Sequence, residues 1–201
     1  MNFFHKAAVC VSLSLVFLAE GIKAQTPADI PVIQITKEGS SVHFAVKASV
    51  SIEGTFDNWE ATITYPSRDV EAGVLDIKIH ADSVNTGSHM KDDKLKGKDF
   101  FNAKDDPYIT FHSTKMTQTG PTKVQVQGNF TIRGVSKPET LTFEITGKGT
   151  GSGEIKGTMA FDRKEFGMNS GIPFIKIADR VEVSVDLVGK RVSGPPLVFK
   201  Q

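Results

Sequence analysis

Cysteine is almost absent from this sequence, since Cys10 is the only one among 201 residues. It lies in an apolar run, Ala7 to Ala19, that follows a basic residue. Such a run is typical of a secretory signal peptide and is too short to span a bilayer. We expect residues 1–24 to be removed by cleavage after Ala24, with Gly21 as the alternative. The mature chain then has no cysteine, which excludes disulfides even in an oxidising compartment.

Neither sign of charge is in excess. The whole chain has 24 basic and 23 acidic residues, a formal net charge of +1. Removal of residues 1–24 takes away two lysines and one glutamate, which leaves 22 residues of each sign. Binding to a phosphate backbone needs a basic surface, so this balance argues against a nucleic-acid partner.

The sequence also lacks the motifs of common catalytic and metal sites. It contains no Gly-x-Ser-x-Gly elbow, and no cysteine nucleophile survives the expected cleavage. The histidines of the mature chain are scattered, without an i, i+4 pair or a Cys/His cluster. The aspartates between Asp92 and Asp106 alternate with lysines, as in a solvated loop. We therefore predict no metal, no cofactor and no enzymatic activity.

Long stretches of helical periodicity are missing too, whereas alternation of apolar and polar residues occurs about eight times. The segment from 83 to 101 is the exception, because it is charged and has a helical turn near Met90 to Leu95. The predicted apolar strand faces are Val42 to Val46, Trp59 to Tyr65, Leu75 to Ile79, Ile109 to Phe111, Val124 to Ile132, Leu141 to Ile145, Met159 to Phe161 and Val181 to Leu187.

Antiparallel strands with one apolar face bury those faces together, either in a sandwich or in a closed barrel. An eight-stranded barrel is just wide enough to be filled by its own side chains or to hold one small ligand. Inward phenylalanines stabilise a filled core and line a lipid tunnel equally well. The alternation alone leaves both choices open.

Four segments in order resemble the motifs of the YceI family of periplasmic lipocalin-like barrels. They are EGTFDNWEATITY from residue 53, TGSHMKDDKLKGKDFFNAKDDPYITFHST from residue 86, GNFTIRGVSKPETL from residue 128 and FDRKEFG from residue 161. The resemblance runs from about residue 32 to residue 188. Its departures are mild, and among them Lys91 stands where the family often has arginine.

The resemblance implies an all-β fold, an extended antiparallel eight-stranded lipocalin-like barrel with a short helical cap. It implies a hydrophobic tunnel that carries a long-chain isoprenoid, a quinone or another amphiphilic lipid, in a protein exported to the periplasm. Arg133, Arg163 and Lys91 are the candidates for the lipid headgroup. The expected tunnel residues are Phe44, Trp59, Ile63, Ile77, Ile79, Phe100, Phe101, Ile109, Phe111, Phe130, Ile132, Phe143, Phe161 and Val183.

The expected domain organisation is a signal peptide at 1–24, a barrel at 25–190 and a tail at 191–201 that leaves the domain. We expect no stable membrane anchor after cleavage. The sequence leaves open whether the chain forms a homodimer. Two alternatives to a lipid carrier also stay open. One is a secreted protein-interaction module with an incidental cavity, and the other is an enzyme acting on a lipid or isoprenoid substrate.

Overall fold

The alternating segments form antiparallel strands in the computed structural model of the chain, which describes residues 29–49, 52–147, 151–171 and 176–201. Within these ranges there are ten strands and one α-helix, α1 at His89–Lys96. The strands are β1 Val32–Ala48, β2 Ile52–Phe56, β3 Trp59–Thr64, β4 Val74–His80, β5 Val84–Asn85, β6 Tyr108–Gln118, β7 Lys123–Ile132, β8 Val135–Ile145, β9 Ser152–Asp162 and β10 Ile177–Ser193.

The all-β architecture and the helical cap are confirmed, but eight was too low a number of strands. The two strands missing from the prediction are β2 and β5. The five residues of β2 include Gly54, which has no side chain to mark a face, and β5 has only two residues. Neither is long enough to show a clear alternation.

One antiparallel sheet holds all ten strands, in the order β3-β4-β6-β7-β8-β9-β10-β1-β2-β5. β3 lies at one edge of this order and β2 lies next to the other edge. Only Asp57 and Asn58 separate these two strands in the chain, so the sheet must curl round on itself. On one side of this junction β2 pairs with β1, and on the other side β3 pairs with β4. The curled sheet therefore encloses an interior, as in a barrel.

The barrel has two distinct ends. We call the end that carries α1 the upper end; there β1 finishes at Ala48 and β10 begins at Ile177. The lower end holds the start of β1 and the finish of β10. In the described part of the chain, no helix has the length and apolar character needed to cross a bilayer.

The predicted apolar faces point into the barrel. Along β7, for example, Val124, Val126, Phe130 and Ile132 are buried and their neighbours are more exposed. Three inward phenylalanines, Phe44, Phe111 and Phe143, each lie against a glycine of the neighbouring strand. A Cβ on Gly128 would lie 2.6 Å from Cζ of Phe111, and one on Gly157 would lie 2.3 Å from Cε1 of Phe143. These glycines let aromatic rings lie along the barrel wall.

The C-terminal segment does not leave the domain, so that prediction is wrong. β10 continues to Ser193, and Val198 then forms a parallel bridge with Asp69. Further along, the amide of Lys200 donates a hydrogen bond to Oε1 of Gln118 at 2.7 Å. The Gly-Pro-Pro sequence is typical of a linker, but Leu197 and Phe199 after it are partly buried against the lower end. Residues 1–24 lie outside the described ranges, so signal cleavage stays a prediction.

Candidate ligand cavities

An apolar cavity of about 70 Å³ lies beneath α1 and is called the upper cavity. Nine of the predicted tunnel residues line it, together with one of the predicted headgroup residues. They are Phe44, Ile79, Phe100, Phe101, Ile109, Phe130, Ile132, Phe161 and Val183, with Arg163.

The prediction missed eight other residues of the upper cavity: Val42, Val46, Ile52, Phe56, Leu95, Met168, Ile177 and Val181. The three valines in this set occupy apolar strand faces that the alternation assigns inward, so they could have been included. The residues of β2 and α1 could be assigned to the cavity only once the strand order was known. No sequence signal identifies Met168, which follows a short 3₁₀ turn at Arg163–Phe166.

Two groups of phenylalanines build the upper end. Phe44, Phe56 and Phe101 form one triad, with ring centroids 5.6 to 6.2 Å apart. Phe130, Phe161 and Phe166 form the other, with centroids 5.1 to 5.3 Å apart. These spacings are those of favourable edge-to-face and tilted aromatic pairs. The first triad joins the loop after α1 to the barrel.

The cap itself is held by a buried carboxylate. Oδ1 of Asp92 accepts hydrogen bonds from the amide of Thr86 at 2.8 Å and from its hydroxyl at 2.7 Å. Burial alone would raise the pKa of Asp92, but these hydrogen bonds outweigh it and the pKa is lowered. Lys91 lies half-buried on the same helix and does not line the upper cavity. The motif from Thr86 to Asp92 therefore anchors the cap.

Arg163 lines the upper cavity, yet its donors are engaged by the protein. Nε donates to the carbonyl of Ala178 at 3.1 Å, and Nη1 donates to those of Met168 and Ser170. Nη2 lies 3.2 Å from Oδ1 of Asp179. Four of the five N–H groups of the guanidinium are thus used. The geometry gives Arg163 a structural role in joining the end of β9 to β10.

Arg133 forms part of the hairpin between β7 and β8 and is not in the described lining of the upper cavity. Its φ of 56° and that of 70° at Gly134 are both positive, as a two-residue type I′ turn requires. Nη1 of Arg133 donates to the carbonyl of Gly167 at 3.0 Å. This contact ties the hairpin to the 3₁₀ turn after β9.

Two further apolar cavities lie towards the lower end. The middle cavity has a volume of about 20 Å³, and the lower cavity, at the lower mouth of the barrel, has about 100 Å³. Of the predicted tunnel residues, Ile63 lines both and Phe143 lines the middle one. Four residues are common to the two linings: Ile63, Tyr65, Ile145 and Ile155. Tyr65 and the C-terminal residues of the lower cavity were not predicted.

A waist separates the upper cavity from the middle one. It is formed by inward residues at mid-strand that line none of the three cavities, among them Ile77, Phe111, Met159 and Val185. Trp59 is also buried outside the three linings, with Nζ of Lys37 at 5.6 Å from its ring centroid. These side-chain positions divide the interior, so it is not the continuous tunnel that the resemblance implies.

The histidines and carboxylates of the described outer face form no metal site. Among the described residues, no three His, Cys, Asp or Glu side chains come together to hold an ion. His112 and His80 lie on neighbouring strands, but His112 pairs with Asp76 and His80 packs edge-on against Tyr108.

The comparisons with known sequences agree with this architecture. The YceI-like domain family matches residues 34–189 of the chain. A UPF0312 protein of Yersinia pestis (strain Pestoides F) is 32% identical over 120 residues, which cover 58% of this chain and 62% of that protein. Protein YceI of Salmonella newport (strain SL254) gives the same identity and coverage. The alignment thus spans less than two thirds of these relatives.

Solved structures share the fold. BcnA of Burkholderia cenocepacia has a TM-score of 0.70 at 26% identity, over 77% of this chain and 99% of that one. A polyisoprenoid binding domain from Saccharophagus degradans has a TM-score of 0.65 at 14% identity, over 80% and 99% of the two chains. The second likeness shows the fold alone. With a family match over most of its length and the fold of solved relatives, the chain belongs to the YceI-like family.

Proposed function

We propose that the protein binds and carries a long hydrophobic chain inside the barrel, without catalysis, in the periplasm. The ligand class is an isoprenoid, a quinone or another amphiphilic lipid. The upper cavity carries this proposal, because it is enclosed by aliphatic and aromatic side chains and its one charged residue, Arg163, is already hydrogen-bonded to the protein. Such a site gains affinity chiefly by removing apolar ligand surface from water.

The Saccharophagus degradans structure is that of a polyisoprenoid binding domain, which supports the same ligand class. Two charged groups at the upper end, one in the cap and one between β9 and β10, support a role without catalysis. Asp92 is engaged by Thr86, and Arg163 is engaged by backbone carbonyls and Asp179. Neither group offers a free acid, base or cation to a substrate in the upper cavity.

A long chain needs more room than the upper cavity provides, so binding requires the waist to rearrange. Met159 is suited to this because an unbranched thioether side chain adapts its shape at low cost. The movement would join the upper, middle and lower cavities. We therefore expect binding of long chains to be slower than binding of short ones, which fit above the waist.

The proposal is tested by native mass spectrometry of the mature protein, incubated with polyprenyl lipids, quinones and fatty acids, followed by organic extraction of the bound material. A discrete added mass that extracts as one of these lipids is the expected result. A bound ligand also raises stability, by about 2.7 kcal/mol at a hundredfold excess over its dissociation constant. If the mass stays that of the protein alone with every lipid, a protein-interaction module becomes the better account.

A pair of matched substitutions locates the binding. Val181→Phe places a ring in the upper cavity, which Val181 lines. Val135→Phe makes the same change on the outside, where Val135 is 37% exposed. We expect the bound fraction to fall with the first substitution and to stay unchanged with the second.

A further inference from the structure

The lower cavity is lined by a tyrosine whose hydroxyl bonds to no described residue of the chain. Tyr65 is 8% exposed and lines both the middle and the lower cavities. Among the described residues its hydroxyl oxygen makes no hydrogen bond, and it is not sealed inside the protein, so it is open to a partner that enters the cavity. Burial raises the pKa of Tyr65, so the group stays protonated and able to donate. Gly73 leaves room for the ring, since a Cβ there would lie 2.6 Å from its Cε1.

An arginine lines the same cavity. Arg191 is half-buried, and its Nη1 donates to the carbonyl of Gly194. No carboxylate in the described part of the chain lies within ion-pair distance of Arg191, and a guanidinium has five N–H donors. Arg163 at the upper end differs in both respects, because it makes four hydrogen bonds and one of them is to Asp179.

We propose that the lower cavity binds the polar group of the ligand, with Tyr65 and Arg191 donating hydrogen bonds to its oxygen. The ligand is then a hydrophobic chain that ends in a carboxylate or a carbonyl-type oxygen, and its apolar part runs up the barrel past the waist. This inference rests on the proposed function and adds the orientation of the ligand to it.

The C-terminal segment closes this site from outside. Pro196, Leu197 and Phe199 line the lower cavity, and the segment is fixed to the barrel at Asp69 and Gln118. Its polar contacts are exposed to solvent, where hydrogen bonds are readily exchanged for water. The polar group of a ligand therefore enters at the lower mouth, beneath residues 194–201.

Paired ligands test the polar contacts. Hexadecanoic acid and hexadecane share a chain length and differ in the carboxylate, and the affinity of each is measured by displacement of 1-aminoanthracene. We expect Tyr65→Phe to weaken binding of the acid about tenfold, as loss of one hydrogen bond to a charged group predicts. Arg191→Met weakens it at least as much. Neither substitution changes the affinity for hexadecane, and Arg133→Met at the other end of the barrel changes neither affinity.

The outcomes separate the two proposals. If the unsubstituted protein binds the acid and Tyr65→Phe and Arg191→Met bind it equally well, the assignment of the polar group to the lower cavity is overturned and lipid binding stands. If both substitutions weaken the acid and the alkane equally, the cavity is merely apolar and the assignment is again overturned. If the unsubstituted protein binds neither probe, the proposed function fails and this inference fails with it.

The single tryptophan gives an independent readout of orientation. Trp59 pairs with Ile79, which lines the upper cavity, and Tyr65 lies just beyond the far end of β3. Bromine quenches tryptophan fluorescence only at short range. We expect 16-bromohexadecanoic acid to quench Trp59 more strongly than 2-bromohexadecanoic acid, since the chain end reaches the upper part of the barrel. Stronger quenching by the 2-bromo acid overturns the orientation.

Discussion

The two ends of the barrel are built on different principles. At the upper end, five of the six phenylalanines in the two triads line the cavity, and Arg163, the charged residue of its described lining, donates to backbone carbonyls. At the lower end, the lining is mixed, with Tyr65 and Arg191 among aliphatic residues and a stretch of the chain terminus laid across the mouth. The upper end is a packed and internally satisfied structure, whereas the lower end retains unused hydrogen-bonding capacity.

This difference bears on how charged residues near a cavity are interpreted. Arg163 is a natural headgroup candidate from its motif, but its buried guanidinium uses four of its five N–H groups on three carbonyls and Asp179, in holding the fold. Arg191 has no motif around it, yet it keeps most of its donors. The useful criterion is therefore the number of donors already used by the protein, and not the proximity of the residue to the cavity.

The largest expected effect comes from removing the buried arginine. Arg163→Met keeps much of the volume but leaves the carbonyls of Met168, Ser170 and Ala178 without their donor. Breaking one partner of a buried charged network costs about 3–5 kcal/mol of the free energy of unfolding. Urea denaturation of the unsubstituted protein and of Arg163→Met measures the difference in unfolding free energy.

Arg133→Met is the matched control for this experiment. Arg133 donates one exposed hydrogen bond, to Gly167, so its replacement should cost less than about 1 kcal/mol. Equal losses from the two substitutions would contradict a structural role for Arg163 and would restore it as a ligand residue.

The next effect concerns the aromatic packing of the upper end. Phe101→Leu removes the ring contacts with Phe44 and Phe56, each worth about 0.5–1.5 kcal/mol beyond burial. We expect a loss of about 1–2 kcal/mol in unfolding free energy, together with easier access to the upper cavity. Phe143→Leu in the lower half changes the side chain in the same way without breaking a triad. A loss from Phe143→Leu as large as that from Phe101→Leu would show that ring volume, and not aromatic pairing, sets the cost.

The strand faces could be predicted from sequence because burial in a barrel imposes a period of two. Val124 to Ile132 shows this most clearly, and its inward residues are those of the prediction. Local alternation carries no information about closure, so it could not show that Asp57 and Asn58 join the two sides of the sheet. It also could not show the waist, since Ile77 and Phe111 alternate in the same way as the residues that line a cavity.

The residues of the lower site were harder to find for a different reason. Tyr65 lies on the predicted strand face, but its significance depends on its hydroxyl having no hydrogen-bond partner among the described residues, which only tertiary structure reveals. The prediction places Arg191 at the start of a tail that leaves the domain. In the structure Arg191 belongs to β10, where it pairs with Ile33. Sequence patterns thus located the apolar wall but not the polar groups within it.

The smallest effect that we expect is a pH-dependent release of the C-terminal segment. The hydrogen bond from Lys200, followed by that from the amide of Gln118, lowers the pKa of Glu71, and the same contact raises the pKa of Lys200. A lowered carboxyl pKa contributes stability above the unfolded value, near 4.3, and this is lost as the pH falls through the folded value. A raised lysine pKa contributes stability below about 10.4, which is lost as the pH rises through the folded value. The contact between Glu71 and Lys200 therefore contributes its full stability between about pH 4.3 and about pH 10.4.

Two-dimensional NMR of the amides of Gln118 and Lys200 follows this release between pH 7 and pH 3. We expect both amides to shift together, with a midpoint below the usual glutamate pKa. In Lys200→Met the Gln118 amide still donates to Glu71. The pH of the midpoint rises, because the hydrogen bond from Lys200, the larger cause of the lowered Glu71 pKa, is gone. A midpoint that stays the same in the two proteins would mean that the Lys200 side chain does not hold the segment, leaving the bridge between Asp69 and Val198 and the hydrogen bonds with Gln118 as its attachments. None of these groups is acidic in its side-chain contact, so the opening of the lower end would be insensitive to acid.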